Sequence, residues 1–396
     1  MVVEIKDIHF SPAFRKKAEK WVIRIKSSII KETRKLEYKK VRKLNKLLIN
    51  SFYNWVVQIH QVAPEGKDNS RGDGKTLRIW NKGRVLNTKE LVEWRTRAIE
   101  VWRRNQSYQP KKLKRIYIPK PDGTERPLSI PTWFDQIIQA IIGNVVECQV
   151  ESIIEANDLK AYGFRKGFKT ADAIQGLQGY ALTGKKQKLV EFDRSKFYET
   201  IPDDKLLAVL ENVDRYTRNN IEKMLKNESL DLKGIVTKPE MGTPQGGNIS
   251  PILANLYAST QIMLPFKKES QSKLTMYADD GIIICDNKEN PEMALAKLEA
   301  IAEKAGLKLK KDKTKIIDGD RFNFLGYEIT RGKGIRLQKD MIKKCQKDGL
   351  ELIKNKSIPT KATVEKGSRV YLDKTPNHKF ATIYSILDKI LPKYVV

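Results

Sequence analysis

Histidine is nearly missing: His9, His60 and His378 are the only three in 396 residues. None pairs with a cysteine at zinc spacing, which argues against a zinc-bearing endonuclease domain of the His-Asn-His kind. Cysteine is equally scarce. Cys148, Cys285 and Cys345 stand far apart with no CxxC pair, so no disulfide framework is legible and a reducing compartment is expected. No long apolar run is present either. The longest, residues 137–150, is broken by Gln139, Asn144, Glu147 and Gln149 and reads as too short and too polar to span a bilayer. The start, Met1-Val2-Val3-Glu4-Ile5-Lys6, carries neither a secretory nor a clear transit signal. Acidic residues are in deficit, 48 against 76 Lys and Arg, for a net charge of +28 and a pI near 9.7. Such an excess favours a polyanionic partner, because each neutralised phosphate releases counterions; a solvated, lysine-rich surface is the plainer alternative. A hydrophobic fraction of 40% is ordinary for a folded chain of two or three domains.

Against that background the informative segment is Tyr277-Ala278-Asp279-Asp280. It sits between the apolar runs Leu274–Met276 and Gly281–Cys285 and predicts strand, tight turn, strand with two carboxylates at the tip. Alone, an Asp-Asp turn is more often just solvated. Two upstream segments add to it. A strand-like run from Lys188 ends in Asp193, with Phe197 and Tyr198 following. A Gly/Pro-rich loop, Gly242-Thr243-Pro244-Gln245-Gly246-Gly247-Asn248-Ile249-Ser250-Pro251, leads into a helix-like run from Ile252 to Leu264. A carboxylate ending one strand, an exposed-backbone loop and a carboxylate pair on a hairpin form the order of a polymerase palm. Phosphodiester synthesis uses two metal ions, which need carboxylates from separate strands.

With these blocks the chain resembles the reverse transcriptases of group II introns, also called maturases. The others are Arg115–Gly123 with Arg126–Pro131, Tyr162-Gly163-Phe164-Arg165, Leu307-Lys308-Leu309 with Lys313-Thr314-Lys315, and Phe324-Leu325-Gly326-Tyr327. They stand in the family's order over residues 110–330. The resemblance implies an α+β right-hand polymerase: fingers and an antiparallel palm sheet backed by helices, a helical N-terminal extension and a short helical thumb. It implies Asp193, Asp279 and Asp280 as catalytic metal ligands for two Mg²⁺ ions, with Mn²⁺ as an alternative. Lys120, Arg126, Tyr198, Gln245 and Gly246 are implied to bind nucleotide, Tyr198 excluding a 2′-hydroxyl where the family more often has Phe. Phe324, Leu325 and Gly326 match the primer grip. Arg165 either contacts template or nucleotide, or braces the fingers. Asn248 departs from the Pro usual in the family.

The implied organisation is 1–110 for a basic helical extension and the start of the fingers, 111–340 for fingers and palm, and 341–396 for a reduced thumb. Residues 63–76 read as a loop and 88–105 as a helix. Ile137–Ile154 reads as a buried helix and Pro291–Ala305 as an amphipathic one backing the sheet, while Asp203-Asp204 charges a helix start. The tail is shorter than the family's, with no DNA-binding or endonuclease region legible after it. Expected partners are an RNA template, group II intron RNA, a DNA primer and dNTPs, with no membrane; no feature sets an oligomeric state. Two other functions stay open, a splicing cofactor that makes little use of polymerisation and a stand-alone bacterial reverse transcriptase of the retron or defence kind. Lys- and Ile-rich usage suits an AT-rich genome, and a bacterial cytoplasm or an organelle (plastid or mitochondrion) is expected, without secretion.

Overall fold

Near the N-terminus, buried residues recur every three or four positions (Ala18, Val22, Ile25, Ile29), which commits that segment to an amphipathic helix. The computed structural model describes residues 12–62, 108–119, 123–179, 188–194, 197–210, 212–285, 289–338 and 340. The loop expected at 63–76, the helix at 88–105, Lys120 and the thumb at 341–396 lie outside them.

In chain order the elements are α1 (Pro12–Arg34), α2 (Tyr38–Asn50), α3 (Phe52–Val62), β1 (Leu113–Pro119), β2 (Glu125–Ile130), α4 (Trp133–Ala156), β3 (Lys160–Ala161), α5 (Thr170–Gln175) and β4 (Leu189–Asp193). Next come α6 (Phe197–Thr200), α7 (Asp203–Ala208), α8 (Arg215–Leu225), β5 (Ser229–Leu230), β6 (Val236–Thr237), α9 (Ser250–Ala258) and α10 (Leu264–Glu269). The described part closes with β7 (Lys273–Tyr277), β8 (Asp280–Ile284), α11 (Pro291–Lys304), β9 (Lys315–Ile317), β10 (Arg321–Phe324), β11 (Tyr327–Thr330) and β12 (Gly334–Leu337). These fall into two compact units of interleaved segments, one built from residues up to 159 with 194–265 and 300–308, the other from 160–193, 266–299 and 309 onward.

In the first unit α1, α2 and α3 pack on α4. Helix α4 is long and apolar enough by length and composition to cross a membrane, but most of its apolar window is buried against its neighbours, as in a core helix. Polar contacts tie α4 to two of these helices: Lys26 Nζ of α1 lies 2.7 Å from Glu147 Oε2, and Asn144 donates to the buried Asn54 Oδ1 of α3 at 2.7 Å. Thr132 caps α4 by accepting from the Asp135 N–H at 3.2 Å. Asp135, itself buried, accepts from the hydroxyls of Tyr108 and Thr132. The hairpin expected around residue 122 is present, β1 against β2 with Ile118 opposite Arg126, in a sheet of order β2-β1-β5-β6. The helix expected from Ile252 to Leu264 is interrupted. A π turn at Ser259–Met263 joins α9 to α10, and the Leu264 N–H reaches the Ser259 carbonyl. Pro265 follows, and its missing N–H removes a normal helical bond there.

In the second unit a five-stranded sheet has the order β3-β7-β8-β4-β9. It is mixed rather than wholly antiparallel, because β3 runs parallel to β7. The expected hairpin is β7 and β8, with Tyr277 opposite Asp280. A three-stranded antiparallel meander, β10-β11-β12, shares a core with the larger sheet through Leu189, Ile282, Ile317, Phe322, Phe324 and Tyr327. Glu289, 4% exposed, holds the entry to α11. Its Oε2 accepts from the Ser270 and Ser272 hydroxyls and the Ser272 N–H, while Oε1 pairs with Lys297 at 2.6 Å.

Burial alone would raise the Glu289 pKa, but the Lys297 and serine contacts outweigh it and hold the carboxyl down, from 4.5 to about 2. A depressed carboxylate contributes stability that is complete above its unfolded pKa and lost as pH falls towards the folded value. Urea denaturation between pH 5 and pH 2 should therefore show stability falling through that window. Glu289→Gln should flatten this acid limb while lowering stability at pH 7; an acid limb equally steep in the variant would rule the assignment out.

Candidate active site

Strand alternation sets the geometry of the acidic site. Leu189, Glu191 and Asp193 occupy alternate positions on β4 and therefore one face. Residues directly opposite across an antiparallel ladder share a face, and Asp193 stands opposite Asp280, Glu191 opposite Ile282 and Leu189 opposite Ile284. Asp279 adjoins this pair in the two-residue turn between Tyr277 and Asp280, where Ala278 takes φ +57°. A positive φ at the first turn position is the type II′ pattern, which normally selects glycine. Held by a non-glycine residue, it costs about 1–3 kcal/mol and persists only where the surroundings over-determine it.

Asp193 is 5% exposed. Its Oδ2 pairs with Lys310 Nζ at 2.8 Å and Lys313 Nζ at 3.0 Å. Its Oδ1 is buried with no hydrogen-bond partner. Burial, then the charges of Asp279 and Asp193, push the Asp280 carboxyl up to about 6. An unpartnered carboxylate oxygen beside like-charged carboxyls is a donor set suited to a hard divalent cation. No group of three His, Cys, Asp or Glu side chains is drawn into a preformed ion cage among the described residues. Glu191, on the same face, pairs with Lys315 at 3.0 Å.

Phe324, Leu325 and Gly326, expected to grip the primer, lie at the β10–β11 turn. Leu325 (φ 49°) and Gly326 (φ 82°) are its two central residues, a type I′ pattern. Buried Phe324 joins the core cluster that contains Leu189 and Ile282, so the sheet bearing this turn packs on the face that carries Asp193. Arg165, 8% exposed, donates from Nη1 to the Ala161 carbonyl at 2.6 Å and lies 4.3 Å over the Phe168 ring.

In the first unit the Gly242–Pro251 loop gathers the expected nucleotide residues. The Thr243 N–H donates to the Tyr198 carbonyl at 2.6 Å, and Gln245 Nε2 to Glu199 Oε1 at 3.2 Å. Ser129 on β2 donates its N–H to the Gln245 carbonyl at 2.6 Å. Gly246, at φ +114°, lies so close that a Cβ would meet the Ser129 carbonyl at 2.6 Å. Arg126 is exposed on the same strand. Asp203 anchors the loop as well as starting α7, accepting from the Gly242 N–H at 2.9 Å. Sequence reasoning missed this anchor, and it missed Lys310 and Lys313. The latter two fall in and beside a block whose lysines were noted only as a pattern.

Because the Asp280 pKa is raised, the sign is opposite to that of Glu289: ionising the carboxyl costs stability as pH climbs from 3.8 towards about 6, and the cost is complete above that. In EDTA, Asp280→Asn should raise the melting temperature at pH 8, with the gain shrinking as pH approaches about 4. Millimolar Mg²⁺ should stabilise the wild type more than the variant. A variant less stable than wild type at pH 8 would contradict the like-charge account.

Residues 118–329 match the family model described as "Reverse transcriptase (RNA-dependent DNA polymerase)". Residues 14–90 match "N-terminal domain of reverse transcriptase". Among curated relatives, the chain is 30% identical over 178 residues to the group II intron-encoded protein LtrA of Lactococcus lactis, a match covering 43% of this chain and 29% of LtrA. It is 30% identical over 148 residues to the COX1/OXI3 intron 1 protein of Saccharomyces cerevisiae, covering 37% of this chain and 17% of that protein. The chain thus spans less than a third of either relative. A solved telomerase from Candida tropicalis, in complex with a fragment of telomeric RNA, shares the fold with a TM-score of 0.51 at 13% identity, over 74% of this chain and 58% of that one. Because the first of these family models covers more than half of the sequence, the chain belongs to the reverse transcriptase family.

Proposed function

We propose that the chain is an RNA-directed DNA polymerase of the group II intron type, adding dNTPs to a primer 3′-hydroxyl on an RNA template. The observation that carries this reading is the placement of Asp193 directly opposite Asp280, with Asp279 next to it on the turn. Asp193 Oδ1, Asp279 and Asp280 would hold the divalent ions. Two bound Mg²⁺ ions, or Mn²⁺ in their place, supply acidification of the attacking hydroxyl and neutralisation of the leaving pyrophosphate. The chain's own part is positioning and electrostatics. Lys310 and Lys313 fix the Asp193 carboxylate through Oδ2 and leave Oδ1 without a partner, the atom that would be offered to an ion. Lys120 and Arg126 neutralise the triphosphate, Gln245 and Gly246 meet the nascent base pair, and Tyr198 blocks a 2′-hydroxyl. Phe324, Leu325 and Gly326 support the primer end. Residues 111–340 serve as fingers and palm, and 341–396 as the thumb.

A second role, binding a folded group II intron RNA as a maturase, is favoured by the basic faces of α1 and α2. Arg15, Lys20, Arg24, Lys31, Lys39 and Lys43 are all exposed there. Work in a bacterial cytoplasm or an organelle fits both roles.

Asp279→Asn should lower dNTP incorporation on an RNA template by at least about 10³-fold, roughly 4 kcal/mol in the barrier, while RNA affinity stays near wild type. Undiminished incorporation would remove the mechanism. Tyr198→Ala should admit ribonucleotides; unchanged sugar discrimination would remove that assignment. Splicing of the parent intron by the Asp279 variant separates the two roles, and full splicing without polymerisation would assign the RNA-binding role to the protein independently of its carboxylates.

A further inference from the structure

The Tyr162-Gly163-Phe164-Arg165 segment plays no part in the reaction proposed above, yet it meets the backbone of the carboxylate turn. Strand β3 pairs with β7 through Lys160–Thr275 and Ala161–Met276, and the Tyr162 N–H extends that ladder to the Met276 carbonyl at 3.0 Å. Gly163 then lies directly against the turn. A Cβ there would fall 2.3 Å from the Ala278 nitrogen and 3.0 Å from both the Ala278 Cα and the Tyr277 carbonyl carbon. All three are backbone atoms, so no side-chain rotation could make room. Glycine is required at 163 for space; its φ is not among the positive ones.

The segment is itself held stiffly. Arg165 bonds the Ala161 carbonyl and stacks on Phe168, the Phe168 N–H donates to the Arg165 carbonyl at 3.2 Å, and the Tyr162 and Phe168 rings meet edge-on at 5.8 Å. Phe164 takes φ +55°, so the segment also contains a left-handed non-glycine residue. Two strained backbones, at Phe164 and Ala278, thus flank one contact. Such conformations persist only where the surroundings over-determine them.

We infer that the Tyr162–Phe168 loop is a backstop that locks the Tyr277–Asp280 turn, with Gly163 as a positioning residue for Asp279 and Asp280 and Arg165 as its brace. The consequence for catalysis rests on the polymerase reading above; the mechanical claim does not.

Two readouts test it. Hydrogen exchange at the amides of residues 278–281 reports the turn itself. Gly163→Ala should speed that exchange roughly tenfold, while protection elsewhere in β8 and β4 is retained. In primer extension the same variant should lose about 100-fold in kcat, as expected for an ångström-scale displacement, with the dNTP KM changed less than about threefold. Adding Ala278→Gly, which frees the turn to yield without strain, should restore about tenfold of that loss. Arg165→Met removes the brace without adding bulk and should move both readouts in the same direction by a smaller amount. Should Gly163→Ala fail to fold, Arg165→Met decides. Unchanged exchange at 278–281 together with kcat within about twofold of wild type overturns the backstop. If instead the wild type incorporates no dNTP at all, the polymerase reading fails while the exchange measurement still judges the backstop.

Discussion

Two carboxylates on adjacent strands at one rung of a ladder are an unfavourable arrangement, and the second unit is organised around tolerating it. Asp193 and Asp280 face each other across β4 and β8, with Asp279 one residue away. Like charges opposed in a sheet destabilise it. Here the surrounding groups absorb the repulsion from two directions. Lys310 and Lys313 neutralise one oxygen of Asp193, and Asp280 shifts its proton affinity upward. The remaining unsatisfied oxygen is an acceptor that water cannot readily reach and a cation could satisfy. A protein selected only for stability would have replaced one of these acids.

The rest of the second unit supplies rigidity to that rung. The apolar end of the same sheet face, from Leu189 and Ile282 to Ile317, is covered by the β10–β12 meander. Glu289 ties the start of β7 to α11 through two serines and a lysine. The first unit solves a different problem. Its long helix α4 is buried nearly throughout, and the Gly242–Pro251 loop is pinned by main-chain bonds to Tyr198 and Ser129. Both units hold chemistry-bearing residues by backbone contacts, which tolerate less drift than long side chains do.

Much of this was legible because the periodic signals were strong. The β7–β8 hairpin, the β1–β2 hairpin, α4 and α11 all announce themselves by alternation or by runs of apolar residues. The aspartates were legible by residue type and order. What escaped was non-periodic. Strand β3 is two residues long and carries no repeat, so the parallel edge of the sheet could not be seen. The π turn at Ser259–Met263 interrupts an otherwise continuous helical run and carries no periodic signal of its own. Lys310 and Lys313 were hidden in a chain so rich in lysine that two more carried no information, although the 3₁₀ turn at Lys311–Lys313 is what brings them to Asp193. Gly163 belonged to a recognised block, but only coordinates reveal that a backbone lies where its side chain would be.

The alternation along β4 has a consequence for how such a chain can vary in length. Leu189 and Asp193 point the same way only because they lie four positions apart, a span of about 13 Å. Inserting or deleting one residue between them would leave the leucine in its core and turn the acid to the opposite side of the sheet. Length changes there would be silent in hydrophobic content and ruinous for chemistry. Duplications and losses should therefore accumulate in connections such as Asp231–Gly234, whose exposed tip bears no such phase.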